Sequence, residues 1–147
     1  MAGNIWFFYA LFSALLWGIS YSFSDRLLQS GISVPLLMAI EGIMIIPILA
    51  VVALKGNPFD GIHLLMTDRK ILVLAIFVAL TAMLGSFFIL MSISEKNATL
   101  ASLIEITYPL FTCLFAWLFF KDMQLSWTTA VGALLILSGV AVIYVKG

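Results

Sequence analysis

Five apolar stretches fill most of this 147-residue chain, and each is long enough to cross a lipid bilayer. An α-helix rises about 1.5 Å per residue and the hydrocarbon core is about 30 Å thick, so one crossing needs roughly 20 residues. Helices satisfy their own backbone polar groups, which is why they can span a membrane. The pattern predicts spans at about residues 5–23, 35–54, 71–93, 98–120 and 127–145.

Composition excludes a soluble domain. Hydrophobic residues make up 64% of the chain and charged residues 10%, and the mean hydropathy is +1.21, which is outside the range of soluble globular proteins. We therefore expect an all-α integral membrane protein whose residues 1–147 form a single five-span domain, multi-pass in the cell membrane. The net charge is zero, so nothing indicates a nucleic-acid partner.

Two glutamates, Glu41 and Glu105, lie near the middle of predicted spans. An ionised side chain at the bilayer centre costs about 2.5–3.5 kcal/mol on insertion scales, so such residues face a bundle interior, a water-filled cavity or a partner. The alternative is a structural role, in which a neutral or hydrogen-bonded carboxyl only ties helices together. For Glu105 we favour a functional role, whereas for Glu41 both interpretations stay open.

A proline follows each glutamate within the same span: Pro47 after Glu41, and Pro109 after Glu105. Proline lacks the N–H that would bond the carbonyl four residues back, which for Pro109 is the carbonyl of Glu105. The second and fourth spans are therefore predicted to be discontinuous, as helices at transport sites often are. Helical spacing predicts one polar face on the fourth span: Ala101, Glu105, Tyr108, Thr112 and Ala116.

Small residues recur along one face of the first span, at Ala10, Ala14, Gly18 and Ser22. The third span repeats this pattern around Ala82 and Gly85, and the fifth around Gly132. Such stripes let membrane helices approach closely, so we predict packing seams. Cavity-lining positions are expected at Trp17, Tyr21 and Ser86 instead.

The segment 102–111, with Glu105, Tyr108 and Pro109, continues through residues 116–122 to 132–140 and resembles the EamA-type repeat of the drug/metabolite transporter superfamily. The pair Trp17 and Gly18 is similar to that family as well. The resemblance implies export or uptake of small metabolites by a ten-helix unit made of two inverted five-helix repeats. This chain holds one repeat, which is half of such a transporter.

Loop charges bear on how the missing half is supplied. Four basic residues flank the spans on the N-terminal side and three on the other: Lys55, Arg69, Lys70 and Lys121 against Arg26, Lys96 and Lys146. Basic loops favour the cytoplasm, and a bias this small permits insertion in both directions. The alternative is a single orientation set by other features. We therefore hypothesise an antiparallel homodimer, with a related five-helix chain as the other candidate partner.

The leading functional hypothesis is a secondary transporter subunit that moves a small metabolite or cationic compound by alternating access. Its predicted site binds a proton or a cation through carboxylates, aromatic rings and hydroxyls: Glu105, Glu41, Tyr108, Trp17, Tyr21, Thr112 and Ser86. The alternative is a non-transporting membrane subunit that pairs with another protein or handles lipid-linked substrates. No pattern for a metal site, a cofactor or an enzyme's nucleophile is present.

Dual insertion predicts two populations of the termini. With a tag at either end of the chain, each tag should be reachable from both faces of the membrane in comparable amounts, because the charge bias is weak. Protease or thiol-reagent accessibility in sealed membranes measures this. Labelling of each terminus from one face only would exclude the antiparallel homodimer.

Overall fold

The structure is a computed structural model, and it describes residues 5–121 and 126–146. These residues form eight α-helices. In chain order the helices are α1 (Ile5–Gln29), α2 (Val34–Ile43), α3 (Ile45–Ala53), α4 (Ile62–Thr67), α5 (Arg69–Glu95), α6 (Ala98–Glu105), α7 (Tyr108–Phe120) and α8 (Trp127–Lys146).

The helices reproduce the predicted membrane architecture. Four described stretches have the length and composition of a membrane span: Val34–Ala53, Arg69–Glu95, Ala98–Phe120 and Trp127–Val145. The predicted first span lies within α1, whose 25 residues cover about 37 Å and so exceed the hydrocarbon thickness. The prediction of an all-α, multi-pass membrane protein is confirmed.

Several helices extend past the predicted spans into the charged sequence that flanks them. Helix α1 continues through Asp25 and Arg26 to Gln29, and the Gln29 amide donates to the Asp25 carboxylate at 2.9 Å. Helix α5 begins at Arg69, where the Asp68 carboxylate accepts the backbone N–H of Lys70 at 2.8 Å. Charged residues thus cap and extend helix ends, because one-turn pairs and N-caps satisfy groups that would otherwise be unpaired.

Both proline-containing spans are broken, as predicted. The second span is interrupted at Met44, between α2 and α3. The fourth is interrupted between α6 and α7, where the Thr107 N–H bonds the Ile104 carbonyl at 3.1 Å and the Leu110 N–H bonds the Thr107 carbonyl at 2.9 Å. These are three-residue rather than four-residue spacings, so the chain tightens locally into a 3₁₀-like turn.

The tightly packed core sits at one end of the bundle. Its buried side chains come from the C-terminal parts of α1 and α5 and the first turns of α2 and α6: Tyr21, Val34, Leu37, Leu90, Ile93, Ala98 and Ala101. Helix α8 packs on α6 at the periphery. Connections 30–33 and 96–97 lie at this same end, so the helices converge here and leave space between them further along their length.

Substitution of Ile93 tests the importance of this core, since Ile93 is the most buried large side chain among the described residues, with 1% exposure. Ile93→Ala should lower the free energy of unfolding by about 2–5 kcal/mol, because it removes packed methyl groups and leaves a cavity. Leu54→Ala is the matched control, since Leu54 is 86% exposed. Thermal unfolding in detergent measures both, and equal losses in the two variants would contradict the assignment of the core.

Candidate functional site

A cavity of about 760 Å³ opens between α1, α2, α5 and the α6–α7 segment. The packed core forms its floor, since the core residues Tyr21 and Leu90 also line the cavity. The structure brings six of the seven predicted site residues to its wall: Trp17, Tyr21, Glu41, Ser86, Glu105 and Tyr108. The cavity is therefore closed towards the Arg26 and Lys96 end of the bundle.

Both membrane glutamates contribute to this one cavity, although they lie 64 positions apart in the chain. Glu41 comes from α2 and is exposed within the space, whereas Glu105 ends α6 and is partly buried. Two carboxyl groups that share a low-dielectric space disfavour each other's ionised form unless a proton or another positive charge is bound. The arrangement favours a proton or a cationic group as the occupant.

A hydrogen bond from Tyr21 orients the Glu105 carboxylate. The Tyr21 hydroxyl donates to Glu105 Oε1 at 3.0 Å, and Tyr21 is only 8% exposed because it packs into the core. The bond joins α1 to α6, which are in contact along this region. It satisfies one carboxylate oxygen and leaves Glu105 further lone pairs with which to accept a ligand or a proton.

Aromatic rings form the wall beside the carboxylates. The Trp17 and Tyr21 rings lie with centroids 5.4 Å apart and planes tilted by 43°, one turn from each other on α1. Trp17 is 50% exposed and Tyr108 is 64% exposed, so both present ring surface to the open space. Ring faces attract cations within about 6 Å, most strongly where water is excluded.

The helix break places polar backbone next to Glu105. Pro109 has no N–H to donate to the Glu105 carbonyl, and α7 therefore starts afresh at Tyr108. A carbonyl freed in this way is tolerated in a membrane when it faces protein or a wet cavity. The Glu105 carbonyl therefore lacks the helix hydrogen bond that a residue other than proline at position 109 would donate.

Part of the small-residue stripes of the first and third spans faces the cavity. Ala14 and Gly18 of α1 and Ala82 and Gly85 of α5 line the cavity. A Cβ added at either glycine would meet no atom within 4 Å. Within this chain these residues leave open space at the cavity, and sequence spacing alone cannot tell a lining from a seam. A packing seam with another helix stays a prediction.

Thr112 is the predicted site residue that the structure does not bring to the cavity wall. Its hydroxyl donates to the Tyr108 carbonyl at 3.1 Å, within α7. The tight turn at residues 106–107 rotates α7 relative to α6, so one helical face drawn through both segments does not persist across the break.

Two lining serines were not among the predicted site residues. Ser13 and Ser102 both contribute to the wall. Ser13 lies one turn before Trp17 on the same helix face, and that spacing is a signal from which it could have been found. Ser102 donates to the Thr99 carbonyl at 3.1 Å, so its hydroxyl is already engaged within α6.

Metal binding has no support in the described part of the chain. Residues 5–121 and 126–146 contain no group of three or more His, Cys, Asp or Glu side chains arranged to hold a metal ion. The chemistry that the cavity offers is therefore that of carboxylates, phenols, an indole and hydroxyls.

Comparison with known proteins agrees with the architecture. A family model described as the EamA-like transporter family matches residues 4–145 of the chain. No curated protein and no solved structure matches it.

The Tyr21–Glu105 bond should contribute measurably to stability. Tyr21→Phe keeps the buried ring and removes the donor, and it should cost about 1.5–3 kcal/mol, as expected for a hydrogen bond to a charged group. Tyr144→Phe is the control, because Tyr144 is 86% exposed. Unfolding of Tyr21→Phe, Glu105→Gln and the double variant gives the coupling energy, and strictly additive losses would show that the bond contributes nothing.

Proposed function

We propose that this chain, which belongs to the EamA-like transporter family, is one half of a proton-coupled secondary transporter for a small cationic or zwitterionic compound. Membership of the family makes it a multi-pass membrane transporter of the drug/metabolite type. The nature of the substrate, the coupling ion, the assembly and the location in the cell membrane are our inferences.

The observation that carries the proposal is the convergence of Glu41 and Glu105 on one cavity within the membrane. Glu105 does tie α1 to α6 through Tyr21, but that tie does not require a second carboxyl group, Glu41, in the same open space. Binding of a cationic substrate explains why the two carboxyl groups lie in the same cavity. A cation gains from both carboxylates and from the exposed ring of Trp17, while Ser86 offers a hydroxyl for orientation.

Proton coupling follows if Glu105 binds one partner at a time. A proton on the carboxyl removes the charge that holds the cation, and a bound cation disfavours protonation. The Tyr21 hydroxyl, 3.0 Å from Oε1, keeps the carboxyl oriented in both conditions. Exclusive occupancy lets a proton gradient drive substrate in the opposite direction across the membrane.

Alternating access requires a cavity that opens to each side in turn. The core around Ile93 closes the cavity at one end, so this protomer corresponds to the state open towards the other end. The breaks beside Pro47 and Pro109 give α2–α3 and α6–α7 places to bend. We propose that bending at these turns opens the closed end of the cavity and closes its open end.

A second copy completes the site. Trp17 and Tyr108 line the cavity and are 50% and 64% exposed, so this chain alone does not enclose a substrate there. The near balance of basic residues between the two faces supports a copy inserted in the opposite direction. The proposed assembly is an antiparallel homodimer with both cavities facing one pathway.

Transport by proteoliposomes tests the function. With a pH gradient imposed, uptake should be measured for a panel of cations from choline to tetraphenylphosphonium. Glu105→Gln should reduce gradient-driven uptake about tenfold to a hundredfold, the equivalent of losing one charge-assisted interaction. Glu41→Gln should reduce it less, because Glu41 is the more exposed of the two carboxylates.

Glu95→Gln is the matched control, since Glu95 is an exposed carboxylate at the end of α5, outside the cavity. It should retain wild-type uptake. Unchanged uptake in Glu105→Gln would refute the proposed site. A wild-type protein that moves no cation and co-purifies with a different membrane protein would favour the non-transporting subunit instead.

A further inference from the structure

A second cavity, of about 490 Å³, lies between α7 and α8 on the other side of the helix break. We call it the α7–α8 groove. Its α7 wall is formed by Pro109, Leu110, Cys113 and Trp117, whose spacing places them along one face of the helix. Tyr108, the residue before Pro109, lines the first cavity. The segment that begins α7 thus separates a polar space from an apolar one.

The α8 wall of the groove is made of small and apolar residues. Gly132 and Ala133 leave it open, and a Cβ added at Gly132 would meet no atom within 4 Å. The hydroxyl of Thr129, also in the wall, lies 2.8 Å from the Ser126 hydroxyl and is engaged there. The groove therefore offers shape and apolar surface, and its occupant must be apolar along its length.

A positive charge lies at one end of the groove. Lys121 directly follows α7, and its Nζ is 5.3 Å from the centroid of the Trp117 ring. Trp117 therefore lies both in the wall of the groove and beside the Lys121 ammonium group. A lysine at the end of a membrane-spanning helix lies at the level of the lipid headgroups and attracts anionic ones.

We propose that the α7–α8 groove binds an acyl chain of an anionic phospholipid whose net negative headgroup pairs with Lys121. An acyl chain matches the apolar wall, and the charge at the groove's end selects the headgroup. The side of α7 that lines the groove also suits a lipid better than it suits a second protomer. Consecutive helical residues point about 100° apart, so Pro109 and the residues that share its face turn away from the Tyr108 side, where the second copy is proposed to bind.

Fluorescence quenching by brominated lipids tests the proposal on the full-length protein. The chain has four tryptophans, so one variant keeps Trp117 alone, with Trp6, Trp17 and Trp127 changed to Phe. In vesicles of mixed composition, phosphatidylglycerol brominated on its acyl chains should quench Trp117 at about fivefold lower mole fraction than brominated phosphatidylcholine, the preference expected from one lysine near the surface. Retaining Trp127 alone provides the reference, because it is 82% exposed and outside the groove wall.

Two pairs of variants separate the parts of the site. Lys121→Gln should abolish the preference for phosphatidylglycerol, whereas Lys70→Gln, on the same predicted side of the membrane, should leave it intact. Gly132→Leu should fill the groove and reduce quenching of Trp117 by both lipids. Gly139→Leu is its control, since Gly139 has the same open surroundings on α8 but does not line the groove.

Equal quenching of Trp117 by the two lipids would overturn the proposal, because it would show ordinary lipid contact without selection. Protection of Trp117 from both lipids, lost when the protein is diluted to monomers, would also overturn it and assign the groove to a second protomer. The readout is lipid binding alone and does not depend on transport.

Discussion

A carboxyl group inside the hydrocarbon layer must find polar partners within the protein, and the rest of this structure is organised around that requirement. Glu105 meets it through the Tyr21 hydroxyl at 3.0 Å, and the bond is possible only because α1 packs against α6. That packing in turn rests on the buried cluster around Ile93, which draws helix ends together at one face of the bundle. Where this convergence stops, the helices separate and the cavity begins.

The break between α6 and α7 gives the same region two different surfaces. Tyr108 belongs to a cavity with two carboxylates, and Pro109 belongs to a groove with almost no polar surface. A continuous helix would present both residues on neighbouring faces of one rigid rod. A proline-broken helix instead has a tightened turn between two helical segments, so the two surfaces need not follow the register of one continuous helix. Transport and lipid contact would then act on opposite sides of one bend.

The small residues of α1 and α5 show a limit on what helical spacing can predict. Their spacing in α1 and α5 is that of a packing seam, yet Gly18 and Gly85 face open space. The difference arises because the same lack of side-chain volume permits either a close backbone approach or an empty volume. Which of the two occurs depends on the position of the neighbouring helix. In this chain the buried residues of α1 and α5 lie C-terminal to Gly18 and Gly85 in their helices.

The sequence alone determined the class of protein and the positions of its intramembrane glutamates and helix breaks. Apolar lengths dictate membrane helices, and the missing N–H of Pro109 dictates a break near Glu105, because both effects act within a few residues. Glu41 could be recognised as a candidate from the free-energy cost of a charge in the bilayer, and Trp17 and Ser86 from their positions along their helices. Only tertiary packing decided that they share one cavity with Glu105, that Tyr21 is its hydrogen-bond donor, and that Thr112 turns elsewhere. Those relations join distant parts of the chain, and they depend on how helices are rotated and spaced, which no local periodicity specifies.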